Sequence, residues 1–460
     1  MPSLHFPAAV FKAYDIRGIV PAQLNAQFAF RCGLALAHQA RKKGVGQFVI
    51  GYDGRHSSPE LAVALQQGLT RGGIECIDLG LVPTPLVYFA AHHLKTGSGV
   101  AITGSHNPPE YNGFKIMLGG ETLHGPAIKA LHELMEGPLQ AAETPAIDRA
   151  YDPKPDYLQA VTRRVRLTRP MRIAIDCGNG ATGVMARPLF EALGCEVVML
   201  FDEVDGDFPN HHPDPANPAN LEDLIAAVRR HNCELGLAFD GDGDRLGVVT
   251  PAGEIIWPDR QLILFAEDIL TRQPGSTIIY DVKCSRHVGL AVKAAGGTPL
   301  MWQTGHSLIK AKLAETGAPL AGEMSGHIFF AERWFGFDDG LYTGARLLEI
   351  LSRSDDAAAQ LHALPQDHST PELNIKMAEG EPHAFVQQLA QADFPTARER
   401  VLIDGIRTEY DDGFGLARAS NTTPVVVLRF EAESEAALQR IQAEFRTALL
   451  GLRPELQLPF

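Results

Sequence analysis

The chain has 460 residues, 45% apolar and 21% charged, with a formal net charge of −14 at pH 7. That composition is globular, and the length is too great for one ordinary core, so about three domains are expected. The negative balance gives no basic footprint for nucleic acid or an anionic membrane. It also disfavours an anionic substrate at long range, so binding one needs locally clustered Arg, Lys or backbone amides. Six cysteines at 32, 76, 177, 195, 233 and 284 lack CxxC spacing, which suggests neither a disulfide framework nor a zinc site. No basic-then-apolar leader and no apolar run of membrane-spanning length is seen, so the cytoplasm is the expected location.

In chain order, 48–53 reads as a strand ending at Asp53, followed by a helix over 61–69, Gly72-Gly73 and a strand over 74–77. A strand over 99–102 leads into Thr103-Gly104-Ser105-His106-Asn107-Pro108, a sharp turn that offers a hydroxyl. Ser105 lacks the Gly-x-Ser-x-Gly context of a hydrolase elbow. A turn serine beside a structural histidine is the plain alternative to a nucleophile here. Asn112-Gly113-Phe114-Lys115 reads as a turn presenting an ammonium, suited to a phosphoryl group as charge partner or proton carrier.

The strand–helix–strand pattern returns over 173–176, 184–193 and 197–200, and again over 278–281, 288–295 and 299–302. Each is a crossover suited to a parallel or mixed sheet covered by helices. Lys283 and His306 follow two strands of the third unit and can line a shared cleft. The tail differs, with an alternating strand over 425–430 and an apolar-periodic helix over 434–450. The expected fold is three related mixed-sheet α/β domains plus a smaller C-terminal α+β domain around a central cleft. The boundaries are placed at 1–152, 153–254, 255–367 and 368–460. The stretch 365–371, with His, Ser and Pro, reads as a hinge.

The second unit holds the most specific signal. The apolar run 235–239 reads as a buried strand, and Asp240-Gly241-Asp242-Gly243-Asp244-Arg245 follows at its carboxyl end. Gly241 and Gly243 allow a tight turn in which the three carboxylates converge. Unneutralised, they repel strongly, and a hard divalent cation with oxygen ligands removes that cost. An EF-hand is excluded because its sixth and twelfth positions are here Arg245 and Pro251, not Gly and Glu. A hydroxyl that accepts a phosphoryl group and a carboxylate cluster that holds Mg²⁺ are the parts phosphoryl transfer needs.

TGSHNPPEYNGFK (103–115) and FDGDGDR (239–245) resemble the phosphoserine and metal loops of the α-D-phosphohexomutase superfamily. In the same order, GEMSGH (322–327) resembles its sugar-recognition loop and RASNTTP (418–424) its phosphate-binding loop; AYDIRG (13–18) resembles its N-terminal signature. Within the superfamily, GEMSGH and RASNTTP look most like the bacterial dual-specificity phosphomannomutase/phosphoglucomutase branch. Phosphoglucosamine mutases usually carry GEQSGH and an Arg-x-Ser-Gly-Thr-Glu loop.

The resemblance implies an isomerase that interconverts hexose 1-phosphate and hexose 6-phosphate, for mannose and glucose, through phospho-Ser105 and a 1,6-bisphosphate. Such a mutase supplies precursors of nucleotide sugars and surface polysaccharides. One Mg²⁺ is implied at Asp240, Asp242, Asp244 and a phosphoryl oxygen on Ser105, with glucose 1,6-bisphosphate as activator. Lys115, His327 and Arg17 would handle protons, and Arg245 would balance charge. Tyr14, Lys283, His306, Glu323, Ser325 and His327 would bind sugar. Arg418, Ser420, Asn421 and Thr422 would bind phosphate. A monomer with phosphosugar partners, and with no nucleic-acid or membrane partner, is expected. A phosphoglucosamine mutase and a non-catalytic phosphosugar-binding protein are the alternatives.

Overall fold

The computed structural model describes residues 5–421 and 423–460. The chain folds into four sheets in succession. The first is mixed and places Tyr111–Leu118 between Ile16–Ile19 and Gly99–Ile102, then continues through Gln47–Tyr52, Glu75–Leu81 and Asp148–Ala150. The second runs Ile255–Ile256, Leu246–Val249, Leu235–Phe239, Arg172–Asp176, Glu196–Leu200. The third runs Thr298–Trp302, Thr277–Asp281, Leu320–Gly322, Ile328–Phe330. In both, parallel pairs carry the crossovers and an antiparallel strand closes one side. The fourth sheet is wholly antiparallel, with helices Glu381–Leu389 and Glu435–Leu452 against it. This is the expected class, three mixed α/β sheets and a final α+β unit.

Two local readings are corrected. Asn112-Gly113-Phe114-Lys115 is not a turn but part of the strand Tyr111–Leu118. The turn-forming pair is accommodated within the strand: Asn112 donates to Ser57 and Ser58, at 2.8 and 2.9 Å. At Gly113 a Cβ would lie 2.2 Å from the carbonyl oxygen of Ile16 on the neighbouring strand, so glycine is required there. The strand expected to alternate over 425–430 is Val425–Ala432, which is central and buried on both faces after its first residue. Its Arg429 is buried against Asp259 of the third unit, at 3.2 Å. The expected hinge stretch includes a short strand, His368–Ser369, paired with Val425–Ala432.

One continuous apolar core joins the first three units, through residues such as Val49, Phe89, Tyr157, Leu237, Phe265 and Leu341. The helix Gly340–Leu351 is buried along its whole length and capped by Asp339, which accepts from Tyr342 N at 2.9 Å. Tyr157 Oη donates to both Asp339 oxygens at 2.9 Å, tying the second unit to the third. The fourth unit has its own core around Leu389, Ile406, Leu428, Ile441 and Phe445. It meets the third through polar contacts: Arg407 donates to the carbonyls of Val282 and Cys284 at 2.7 and 2.6 Å, and Ser285 Oγ to Glu431 at 2.7 Å. A small apolar cluster of Val282, Phe414 and Leu416 completes the contact.

Candidate active site

Ser105 lies just past the strand Gly99–Ile102, buried, with φ of 49°. That left-handed conformation is uncommon for a residue with a side chain, so the surroundings must hold it. Asp53, at the end of the adjacent strand, accepts from Thr103 Oγ1 at 2.7 Å and Gly104 N at 3.1 Å. Thr103 Oγ1 in turn accepts from Ser105 N at 2.8 Å. Ser105 Oγ is left 3.0 Å from Asp240 Oδ2 and 3.2 Å from His106 Nδ1. The turn of the acidic loop closes over it: a Cβ at Gly241 would lie 2.4 Å from the Ser105 carbonyl oxygen.

Asp240, Asp242 and Asp244 follow the buried strand Leu235–Phe239, and each is fully buried. One oxygen from each lies within 4.8 Å of the others. Lys115 projects from the first sheet onto them, with Nζ 2.7 Å from Asp242 Oδ2 and 2.5 Å from Asp244 Oδ2. Thr84 Oγ1 donates to Asp242 Oδ2 at 2.6 Å, and Arg245 N to Asp240 Oδ1 at 3.1 Å. Burial works against the Lys115 charge, but Asp242 and Asp244 outweigh it and hold the ammonium well above its ordinary range. Burial, then the Asp244 and Asp242 charges, pushes the Asp240 carboxyl well up. Burial opposes ionisation of Asp242 too, yet Lys115 and its hydrogen bonds bring it down. Oδ1 of Asp242 and Oδ1 of Asp244 are buried without a hydrogen-bond partner among the described residues. Three convergent carboxylates with two unsatisfied oxygens form a donor set that can hold a hard cation.

The third unit adjoins this cluster. Arg245 Nε donates to His327 Nε2 at 3.0 Å, and His327 Nδ1 lies 3.0 Å from Asp338 Oδ2. Lys310 pairs with Asp338 at 2.9 Å. Burial opposes the Asp338 charge, but Lys310 and His327 hold its carboxyl well below the usual range. His306 stacks on His327 with centroids 5.6 Å apart, and Tyr14 of the first unit meets His306 edge-on at 5.3 Å. Burial, then Lys310, depresses the His306 imidazole well below its ordinary value. Glu323 is buried, and its Oε1 accepts from Gly305 N, so one carboxylate oxygen is already engaged by backbone. Ser325 is half-buried beside Gly326.

Arg17 donates to Asn107 Oδ1 at 2.5 Å and pairs with Asp15 at 2.6 Å, at the edge of the Ser105 turn. In the fourth unit Arg418 Nε pairs with Asp404 at 2.9 Å, while its Nη2 is buried without a hydrogen-bond partner among the described residues. Thr304 N of the third unit donates to the same Asp404 oxygen at 3.0 Å. Burial raises the Tyr14 phenol and the Arg418 charge lowers it, so the fourth unit's guanidinium is felt at the first unit's signature. Lys283 pairs with Glu372 at 2.6 Å. Ser420 Oγ accepts from Thr423 Oγ1 at 3.1 Å, a turn contact, and Asn421 is half-buried beside it. Thr422 lies outside the described residues.

Contacts therefore run from Ser105 through Asp240, Arg245, His327 and His306 to Tyr14. Sequence reasoning missed Arg55, Thr84, Lys310, Asp338 and Asp404. It also passed over the role of the aspartates that end the repeated strands. Asp53 and Asp281 gather loops beyond neighbouring strands, Asp53 at Thr103 and Gly104, and Asp281 by accepting from Thr304 at 2.8 Å and Met324 N at 3.1 Å, while Asp176 accepts from Gly178 N of its own loop at 2.8 Å. The repeated strand-end Asp was the available signal.

Comparison with known proteins follows the same division. Family models for phosphoglucomutase/phosphomannomutase match in unbroken order: alpha/beta/alpha domain I over 8–141, domain II over 155–253, domain III over 257–368 and the C-terminal domain over 372–448. A phosphoglucomutase of Neisseria gonorrhoeae is 54% identical over 98% of both chains. A phosphomannomutase/phosphoglucomutase of Pseudomonas aeruginosa is 51% identical over 99% of this chain and 98% of its own. The crystal structure of a phosphoglucomutase/phosphomannomutase family protein from Burkholderia thailandensis superposes with a TM-score of 0.94 at 52% identity, covering 99% of this chain and all of that one. With all four domain models matched in order and full-length relatives at this identity, the chain belongs to the phosphoglucomutase/phosphomannomutase family.

Proposed function

We propose that this protein is a phosphohexomutase that interconverts the 1-phosphates and 6-phosphates of mannose and glucose, with Ser105 as the phosphoryl carrier. One observation carries the reading: the buried Ser105 hydroxyl lies 3.0 Å from Asp240, beside Lys115 and Arg245. A nucleophile, an acidic cluster and flanking cations are what phosphoryl transfer requires.

In the first half-reaction the phosphorus–Oγ bond of phospho-Ser105 breaks and a bond to the sugar O6 forms. The O6 proton leaves to a neighbouring base, giving the 1,6-bisphosphate. The intermediate then turns so that its other phosphate faces Ser105. In the second half-reaction the bond to O1 breaks, the bond to Oγ reforms, and O1 takes up a proton. Lys115, held as an ammonium, supplies a proton or a positive charge at the transferred group. His327, fixed between Arg245 and Asp338, and Arg17 serve the sugar oxygens. Tyr14, Lys283, His306, Glu323 and Ser325 orient the sugar, and Arg418, Ser420, Asn421 and Thr422 hold the idle phosphate. Asp240, Asp242 and Asp244, with a phosphoryl oxygen on Ser105, would hold Mg²⁺, which when bound neutralises charge on the transferred group. Glucose 1,6-bisphosphate would phosphorylate a bare Ser105. The products would feed nucleotide-sugar and surface-polysaccharide synthesis, with the enzyme a cytoplasmic monomer.

The test is mass spectrometry of protein treated with glucose 1,6-bisphosphate, joined to rates on mannose, glucose and glucosamine 1-phosphates. One phosphate on Ser105 and turnover of the first two sugars is expected. No phosphate at Ser105 refutes the mechanism, and turnover confined to the amino sugar would instead favour a phosphoglucosamine mutase.

A further inference from the structure

Arg55 is buried, and its guanidinium is spent on backbone. Nη2 donates to the carbonyls of Ser105 and Asn107 at 2.8 and 2.6 Å, and Nη1 to those of Pro108 and Tyr111 at 2.5 and 2.9 Å. Nε lies 3.2 Å from Asp53 Oδ2, the carboxylate that also fixes Thr103 and Gly104. Lysine has neither the planar fork nor enough donors to replace this set.

The second domain closes over the same group. Its stretch 202–212 carries no helix or strand. It is tied to its own sheet by Asn179 Nδ2 donating to the Glu203 carbonyl at 2.8 Å and by His211 beside Asp176 at 3.0 Å. From there the Phe208 ring lies 5.1 Å from the Arg55 guanidinium carbon, and His212 Nε2 reaches the His106 carbonyl. The hydroxyl loop is thus braced from the second domain as well as from Arg55.

We propose that Arg55 is a positioning residue for the nucleophile. By collecting four carbonyls of the 105–111 loop it holds Ser105 in its left-handed conformation, with Oγ facing the acidic cluster. Phe208 and His212 complete the brace from the second domain. This rests on the reading of Ser105 as phosphoryl carrier. Among the described residues Arg55 bonds to neither the 322–327 loop nor the 418–424 loop, so its loss acts on phosphoryl transfer and not on sugar binding.

The experiment uses full-length Arg55→Lys and Arg55→Met and times the phosphorylation of bare Ser105 by glucose 1,6-bisphosphate in rapid quench. A displacement of the hydroxyl by about 1 Å predicts about a 100-fold slower step. The expected result is that loss in the single-turnover rate and in kcat, at unchanged KM for mannose 1-phosphate, with Lys less impaired than Met. Wild-type phosphorylation rates in the folded variants overturn the proposal. If the Arg55 variants do not fold, Phe208→Leu and His212→Gln decide, since both lie outside the loop. Slower phosphorylation at unchanged KM supports the brace, and wild-type rates overturn it. Ser105→Ala separates the two readings. An active Ser105→Ala overturns the carrier role itself, whereas an inactive one beside unimpaired Arg55 variants overturns the brace alone.

Discussion

Lys115→Met probes the electrostatic centre of the site. The ammonium lies 2.7 and 2.5 Å from two carboxylates inside a fully buried cluster of three. Each pair has a gross attraction of about 6 kcal/mol at an effective dielectric of 20. Most of that offsets the cost of burying the charges, so the net loss on removing one partner is about 3 to 5 kcal/mol. Methionine keeps the length and the apolar stem, so little of the loss comes from a cavity. An unfolding entropy of about 2.1 cal/mol/K per residue is about 1 kcal/mol/K for a chain of this length, so in EDTA the variant should melt about 3 to 5 °C below the wild type. Added Mg²⁺ should return more stability to the variant than to the wild type. The cation then has no ammonium to compete with, and at 100 times its dissociation constant it contributes about 2.7 kcal/mol. Differential scanning calorimetry with and without Mg²⁺ reads both effects. Equal melting of variant and wild type in EDTA would refute the claim that Lys115 neutralises the cluster, and equal Mg²⁺ shifts would refute the competition.

Ser105→Ala should abolish mutase turnover with little change in melting, because a turn position loses little on truncation; near-normal turnover in the purified variant contradicts the carrier role. EDTA should inactivate the wild type and Mg²⁺ restore it, while Asp242→Asn should raise the Mg²⁺ needed; full activity in a metal-free preparation counts against the acidic loop as a metal site. His306 is buried and His106 half-buried, and desolvation keeps both neutral, with imidazoles well below their ordinary value. The unfolded chain takes up those protons below about pH 6.5 and the native state does not, so stability should fall as pH drops through that point. Urea midpoints that hold or rise from about pH 7.5 to about pH 5.5 would contradict this. The fourth domain, with its own core, should close on substrate and loosen while the bisphosphate turns. Cross-linking it to the first domain should then permit a single phosphoryl transfer and block turnover; normal turnover of the cross-linked form and no compaction in solution scattering would exclude that motion.

The fold was legible where local pattern and tertiary role agree. Strand–helix–strand units with a terminal Asp stand out because burial on both faces of a parallel strand leaves an unbroken apolar run, as over 235–239 and 278–280. The acidic loop was legible because its residue types and spacing have few other uses. The strand at 111–118 was not, because Asn112-Gly113 carries a turn signal that the neighbouring strand's close approach overrides. Arg55, Lys310 and Asp338 were not, because each acts on groups distant in sequence: 50 residues separate Arg55 from Ser105, and 28 separate Lys310 from Asp338. A lone Arg or Asp has no pattern to betray the carbonyls or imidazoles it will meet after folding. Glu323 was expected among the sugar-binding residues, and only the fold reveals that Gly305 N donates to one of its oxygens.

The seam between the third and fourth domains has a consequence of its own. Arg407 and Arg429 of the last domain grasp the carbonyls of Val282, Lys283 and Cys284, and Arg286 reaches back to Asp367 and Glu433. Such contacts register the domain by direction, not by adhesive area. A long guanidinium can follow a carbonyl through a small rotation, or trade it for water, and the oily surface bared at the seam is the small cluster of Val282, Phe414 and Leu416. The joint is therefore a ball bearing with detents: the guanidiniums set its stops, and one small apolar contact is the penalty for leaving them.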